Sequence, residues 1–248
     1  MSARFDARDF EGFKALARDA SLSLHEKVGF PDSYRAGKEG AILRDIARKL
    51  PALRARGRRV LDIGSGCSPV AQALIALCRG RSHALTLVDS AEMLRLLPDT
   101  PSTVKIAGRF PDDCRELIDA GHGGFDAIVV YSVLQYVPAE PDRAAFVDAA
   151  LGLLAERGRL LIGDLPSSGM RSRFFSSSTG RRFHRRFAGR DAPLPTAAED
   201  DEAPRLSDDD IVSLLSRARQ AGFHAWIVPQ AADLPMANRR EDLLFERP

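Results

Sequence analysis

From residue 58 onward, short uninterrupted apolar runs alternate with stretches of helical periodicity. The runs are Val60–Ile63, Leu85–Val88, Val104–Ala107, Phe125–Tyr131 and Arg159–Gly163. Between them lie a helix with Val70, Ala73, Leu74, Leu77 and Cys78 on one side and another around Ala144–Leu154. Strands that are apolar at successive positions need cover on both faces, which parallel strands obtain from their crossover helices. The pattern predicts an open α/β fold of Rossmann-like type. Phe223–Val228 and Asp242–Phe245 read as a closing pair of strands, which makes the sheet seven-stranded and mostly parallel.

The remaining segments are organised around that core. In residues 1–57, Phe10, Phe13 and Ala17 share one helical face, as do Ile42, Ile46, Leu50 and Leu53. This predicts an N-terminal helical cap ahead of a domain spanning 58–248. Residues 166–206, rich in Ser, Gly, Pro and clustered charge, read as an irregular lid. After it, Ser207 followed by Asp208, Asp209 and Asp210 predicts a helix N-cap with acids in the first turn. Ile211, Leu214, Leu215 and Ala218 then form a buried stripe, and Gly222 marks the stop.

Composition narrows the function classes. The 248 residues are 44% hydrophobic and 28% charged, enough for a sizeable core and too apolar for wholesale disorder. The balance of 36 basic against 34 acidic residues is too even to require nucleic acid. Cys67, Cys78 and Cys114 are far apart and form no C-x-x-C pair, so neither a disulfide framework nor a metal site is expected. Met1–Phe10 has no apolar signal core, and no run of about 18 apolar residues occurs anywhere. These features predict a cytoplasmic protein without membrane contact.

The most informative segment is Val60-Leu61-Asp62-Ile63-Gly64-Ser65-Gly66-Cys67-Ser68-Pro69, a buried strand running through Gly-Ser-Gly into a helix. Such glycines permit positive φ and close backbone approach to a ligand, beside the open N–H groups of a helix start. A dinucleotide fingerprint would place its third glycine where Pro69 stands, and a carboxylate at Asp62 would repel a pyrophosphate. A nicotinamide dehydrogenase is therefore disfavoured, whereas Asp62 suits a ligand with an amino group. Asp89, ending the next strand, can accept hydrogen bonds from both hydroxyls of a ribose.

On VLDIGSG (60–66), LTLVDSAEML (85–94), FDAIVVYSVLQYV (125–137) and the strand at 158–164, the chain resembles the class I S-adenosylmethionine-dependent methyltransferases. The resemblance implies S-adenosyl-L-methionine as cofactor, its methionyl part cradled by Gly64, Ser65 and Gly66 and its ribose held by Asp89. Asp62 would help to hold the methionyl amino group, and Ser90 and Met93 would lie near the adenosine. Where relatives often place an adenine-binding carboxylate, this chain has Arg109 and Phe110, which could stack on the ring instead. No N-P-P-Y-like segment follows the fourth strand, which disfavours methylation of bases or glutamine.

For the transfer itself, Asp164 and Tyr131, at the carboxyl ends of their strands, are the catalytic candidates; Asp164 is the first choice of general base, with a structural or substrate-orienting role favoured over it, and His184, in the lid, is the second choice of base. Tyr34, Arg35 and Lys38, in the preamble, are candidates for meeting the cofactor's carboxylate or an acidic substrate, and His184 is a further candidate for substrate binding. Residues 171–190 hold seven arginines with interleaved aromatics and no acid. These could grip a phosphorylated small molecule, such as a nucleotide-sugar, or RNA; the acids Glu199, Asp200, Asp201 and Glu202 that follow could equally neutralise them. The favoured expectation is methylation, at oxygen, of a small anionic or sugar-like acceptor. The alternatives are an RNA methyltransferase and a cofactor-binding subunit without turnover. The oligomeric state is not legible.

Overall fold

The computed structural model describes residues 9–119, 124–139, 141–189, 193–194 and 205–248. Seven strands form one sheet: β1 (Arg59–Ile63), β2 (Ala84–Asp89), β3 (Thr103–Ala107), β4 (Phe125–Tyr131), β5 (Leu154–Pro166), β6 (His224–Pro229) and β7 (Arg240–Glu246). Their order is β3-β2-β1-β4-β5-β7-β6, and β7 alone runs antiparallel to its neighbours. The chain lays down β1 to β3 in one direction and resumes at β4 on the other side of β1. That reversal opens a crevice at the carboxyl ends of β1 and β4, where open α/β sheets bind ligands.

The two-residue period of each strand feeds two separate cores. Leu61, Ile63, Ile128, Val130, Leu160 and Ile162 face one side. There they meet Phe146, Val147 and Leu151 of α8 (Asp142–Gly152) and Ile211, Leu214 and Leu215 of α11 (Asp208–Gln220). Val60, Ala127, Val129 and Leu161 face the other side. They pack against Leu74 and Ile75 of α5 (Pro69–Gly80) and Ile42 and Ile46 of α4 (Glu39–Lys49). The strands are continuously apolar because neither face meets water. The N-terminal segment accordingly has two parts. The stripe of α4 is continuous with the core of the sheet, whereas α1 (Phe10–Arg18), α2 (Leu24–Lys27) and α3 (Asp32–Arg35) sit at its carboxyl edge, where Phe10, Phe13, Val28, Phe30 and Arg35 line the crevice.

The irregular lid expected over 166–206 is corrected in its first half. Ser168–Ser176 (α9) and Ser178–Ala188 (α10) are helices. Ser167 and Ser177 are their N-caps, accepting from the backbone N–H of Met170 and Gly180 at 3.1 and 3.0 Å. Serine serves loops and caps alike, so hydroxyl-rich sequence does not separate the two. Gly180 lets the helices close on each other, since a Cβ there would collide with the carbonyl of Phe174. Arg190 and the run Glu199–Glu202 lie outside the described residues. Beyond them, Leu206 is fully buried and docks beside Ser167, and Ser207 forms a capping box with Asp210 as expected. No described helix is long and apolar enough to cross a membrane.

Candidate functional site

The turn after β1 is built by backbone that only glycine tolerates well. Gly64 and Gly66 have φ of +70° and +60°. A Cβ on Gly64 would stand 2.5 Å from Cγ2 of Val133, and one on Gly66 would stand 2.7 Å from Cγ1 of Val28. The Gly64 N–H donates to the carbonyl of Val88 at 2.8 Å, which draws the turn against the end of β2. Asp89 follows there, and its carboxylate accepts from the N–H groups of Gly66 (2.7 Å) and Ser90 (2.6 Å). Burial still raises its pKa, against the pull of those donors. Ser68, the N-cap of α5, makes no side-chain capping bond and lines the crevice with Val70 and Ala71 of the first helical turn.

Asp62, the residue before Ile63 on β1, also lines the crevice and is 5% exposed. Burial, and then the neighbouring Asp89, pushes its carboxyl up to about 7. Buried Asp62 beside half-buried Asp89 at a glycine turn forms a site short of positive charge.

The crevice encloses a cavity of about 230 Å³. At one end Arg109, Phe110 and Phe146 line it, the two rings edge-to-face with centroids 5.1 Å apart. At the other end stand Phe13, Phe30, Tyr131 and Tyr136, with Phe13 and Tyr136 edge-to-face at 4.8 Å. Arg35 is the cation of that end. Its guanidinium lies 3.8 Å from the centre of the Phe30 ring and donates to the hydroxyl of Ser132 at 2.9 Å.

Behind this wall runs a buried network of charge. Asp164 pairs with Arg35 at 2.5 Å and with Arg240 at 2.9 Å, and accepts from the Ser132 hydroxyl. Its own N–H donates to Asp242 at 2.8 Å, and Asp242 pairs with Lys49 at 2.7 Å. Ser132 and Asp164 both have positive φ, 63° and 61°, and Asp164 lies where the pairing of β5 with β7 shifts register. Such backbone persists only when the surroundings over-determine it, and here the ion pairs do so. Burial pushes the Asp164 carboxyl up, but the guanidinium groups of Arg240 and Arg35 outweigh it and hold it below the usual range.

No protein-family model and no curated sequence matches the chain. Solved structures similar to it include the N-methyltransferase NodS from Bradyrhizobium japonicum, crystallised with S-adenosylhomocysteine. That match has 14% identity and a TM-score of 0.54, covering 98% of this chain and 100% of that one. Magnesium protoporphyrin IX methyltransferase from Synechocystis, with bound S-adenosylmethionine, matches at 15% identity and a TM-score of 0.54, covering 96% and 91%. The plantazolicin methyltransferase BpumL, with S-adenosylhomocysteine, matches at 13% identity and a TM-score of 0.56, covering 96% of each chain. The chain has the class I methyltransferase fold. Other matched proteins are longer, and the chain spans 59% of one and 63% of another.

Within this methyltransferase fold, the structure gathers most of the residues expected at the site. Asp62, Gly64, Ser65, Gly66, Asp89, Met93, Arg109, Phe110, Arg35 and Tyr131 all line one cavity. Ser90 does not. It is buried and N-caps a short helix, α6 (Ala91–Leu94), while its N–H holds Asp89. Asp164 lies behind the cavity wall, and a carboxylate clamped by two guanidinium groups is a poor proton acceptor. Tyr131 is at the wall, but burial and the nearby Asp164 push its pKa well above the ordinary value, so it stays a phenol.

The remaining substrate candidates stand apart from the cavity lining. Lys38 is exposed and donates to the carbonyl of Asp233 at 3.3 Å. His184, on α10, meets Phe175 edge-on at 5.9 Å, and its buried Nε2 has no partner among the described residues. Tyr34 lies by Arg239 instead. Sequence reasoning missed Ser132, Phe30 and Arg240 as parts of the site. Their one sequence signal is weak: Arg240 lies two positions before Asp242 on β7, far in the chain from everything it touches.

Proposed function

We propose that this chain is an S-adenosylmethionine-dependent methyltransferase that methylates an oxygen of a small anionic or sugar-like acceptor. The observation that carries the reading is the pair of carboxylates, buried Asp62 and half-buried Asp89, flanking a turn whose two glycines leave no room for a Cβ. The cofactor would supply an electrophilic methyl group on a sulfonium. Its chemistry fits this donor set: an ammonium group relieves the charge cost of Asp62, and ribose hydroxyls donate to Asp89. Gly64, Ser65 and Gly66 would then cradle the amino-acid tail, and Phe110 with Phe146 would flank the base. The cofactors named in the solved NodS, BpumL and Synechocystis structures support the same choice.

Arg35, Tyr131, Ser132 and Tyr136 remain at the other end to orient an acceptor. Positioning of this kind can supply about 7–11 kcal/mol of the barrier. Neither Asp164 nor Tyr131 is set up to remove a proton. An acceptor oxygen that arrives ionised needs no base, which favours an anionic acceptor over a neutral sugar hydroxyl. Arg35, held rigid by Asp164 and Ser132, is the group that would attract it. RNA is the rival acceptor, favoured by the exposed arginines Arg182, Arg185 and Arg186 on α10.

Isothermal titration with S-adenosylhomocysteine tests the cofactor assignment. Asp89→Ala should weaken binding at least tenfold, and unchanged affinity refutes the ribose role. Incubation with a radiolabelled methyl donor, fractionated metabolites and, separately, total RNA tests the acceptor. Label in RNA alone overturns the small-molecule reading, and label nowhere points to a binding subunit.

A further inference from the structure

Outside the cavity, arginines from two separate segments converge on one aromatic ring. Arg239, in the short 3-10 turn Ala237–Arg239 that leads into β7, is half-buried, and its guanidinium lies 5.7 Å from the centre of the Phe175 ring on α9. Arg171, also half-buried and on the same helix, lies 4.8 Å from that ring. Arg205 comes from the chain just before Leu206. Burial, and then the like charges of Arg171, Arg240 and Arg205, push the Arg239 pKa down, while the Tyr34 phenol beside it pulls the other way.

Arg240 shares the Asp164 carboxylate with Arg35. Arg239 has no carboxylate partner among the described residues; it donates to Oδ1 of Asn238 at 3.2 Å. Arg171 and Arg205 engage other groups as well, so Arg239 is the residue on which the site turns. Gathering half-buried cations costs free energy through both desolvation and repulsion. An anion seated among them offsets both, and the planar guanidinium fork matches phosphate oxygens.

Arg240, the next residue in the chain after Arg239, reaches the acceptor end of the cavity. The Arg240 guanidinium lies 5.6 Å from the Phe30 ring, the same ring that lines the cavity and that Arg35 covers. The geometry points to a phosphate-binding subsite formed by Arg239 with Arg171 around the Phe175 ring, which seats a phosphate ester carried by the methyl acceptor away from its reacting oxygen. This rests on the methyltransferase reading above. A dianion matches two converging cations better than a carboxylate does. A single half-buried spot suits a small molecule, whereas RNA would track the exposed arginines of α10.

Isothermal titration of the full chain with inorganic phosphate tests the subsite. Wild type should show saturable binding, Arg239→Gln should weaken it at least tenfold, and acetate should bind at least tenfold more weakly than phosphate. A triple variant, Arg182→Gln, Arg185→Gln and Arg186→Gln, should bind phosphate within twofold of wild type. Affinity for S-adenosylhomocysteine should be the same in every variant, which also shows that each has folded. Should Arg239→Gln not fold, Arg171→Gln takes its place, with an expected loss of at least threefold. No saturable phosphate binding, equal affinity for acetate, or a loss confined to the triple variant overturns the proposal. A single-stranded RNA that competes with phosphate at a steep salt dependence, and loses affinity in the triple variant, overturns it in favour of RNA. Phosphate binding as described without any S-adenosylhomocysteine binding would leave the subsite standing and bring down the cofactor reading alone.

Discussion

Replacing Asp62 by asparagine removes a buried carboxyl group and keeps its shape. In the unfolded chain that carboxyl titrates near 3.8, and in the folded protein burial and Asp89 push it to about 7. Below pH ~4 both states hold the proton and the group has no effect on stability. Between the two values the unfolded state ionises while the folded one does not, so stability falls as pH rises, and above about 7 the loss is constant. At about 1.4 kcal/mol per pH unit the full cost is about 4 kcal/mol, of which roughly 2–3 kcal/mol accrues between pH 5 and pH 8. Asp62→Asn escapes this cost, and both proteins keep Asp89, so their difference reports Asp62 together with its coupling to Asp89. For a chain of this size 1 kcal/mol corresponds to about 2–4 °C in Tm, so the variant's advantage should grow by about 4–12 °C from pH 5 to pH 8. Thermal unfolding followed by circular dichroism, without cofactor, measures it. A difference that stays level across that range refutes the argument that Asp62 is buried without a compensating charge.

Two further perturbations probe the same region. Gly64→Ala places a methyl 2.5 Å from Val133 at a φ of +70°, and the left-handed backbone alone costs about 1–2 kcal/mol. Titration should show at least tenfold weaker S-adenosylhomocysteine binding, partly restored by adding Val133→Ala; wild-type affinity in the single variant would mean that the turn is not a cradle. Arg35→Met leaves Asp164 with Arg240 alone, so the expected loss lies below the 3–5 kcal/mol of a fully broken buried pair, at about 2–3 kcal/mol in urea unfolding. A loss under about 0.5 kcal/mol would show that Arg240 suffices by itself.

The central strands β1, β4 and β5 were legible because each is buried on both faces over most of its length, so burial alone dictates a continuous apolar run, whereas the edge strands β3 and β6 are largely exposed and were legible from residue type. Phe125–Tyr131 has the bounds its apolar run predicts, while β5 runs from Leu154 to Pro166, well past the predicted Arg159–Gly163. The extension contains Glu156, Arg157 and Gly158, which mark an irregular strand rather than an apolar one. The glycine turn and Asp89 were legible because positive φ and close approach leave a mark in residue type. The helices α9 and α10 were not, since serine caps and serine loops share a composition.

Sequence alone determined where the sheet's strands lie, that one turn must be glycine, and that Asp62 and Asp89 stand at neighbouring strand ends. Each of these follows from local chemistry: burial on two faces, a backbone angle, a register between adjacent strands. Only the tertiary structure decided that Asp164 is an anchor rather than a free base. Its partners Arg35 and Arg240 lie 129 and 76 residues away in the chain. A carboxylate's proton affinity is set by the charges that packing brings within a few ångströms, and sequence separation carries no record of that distance.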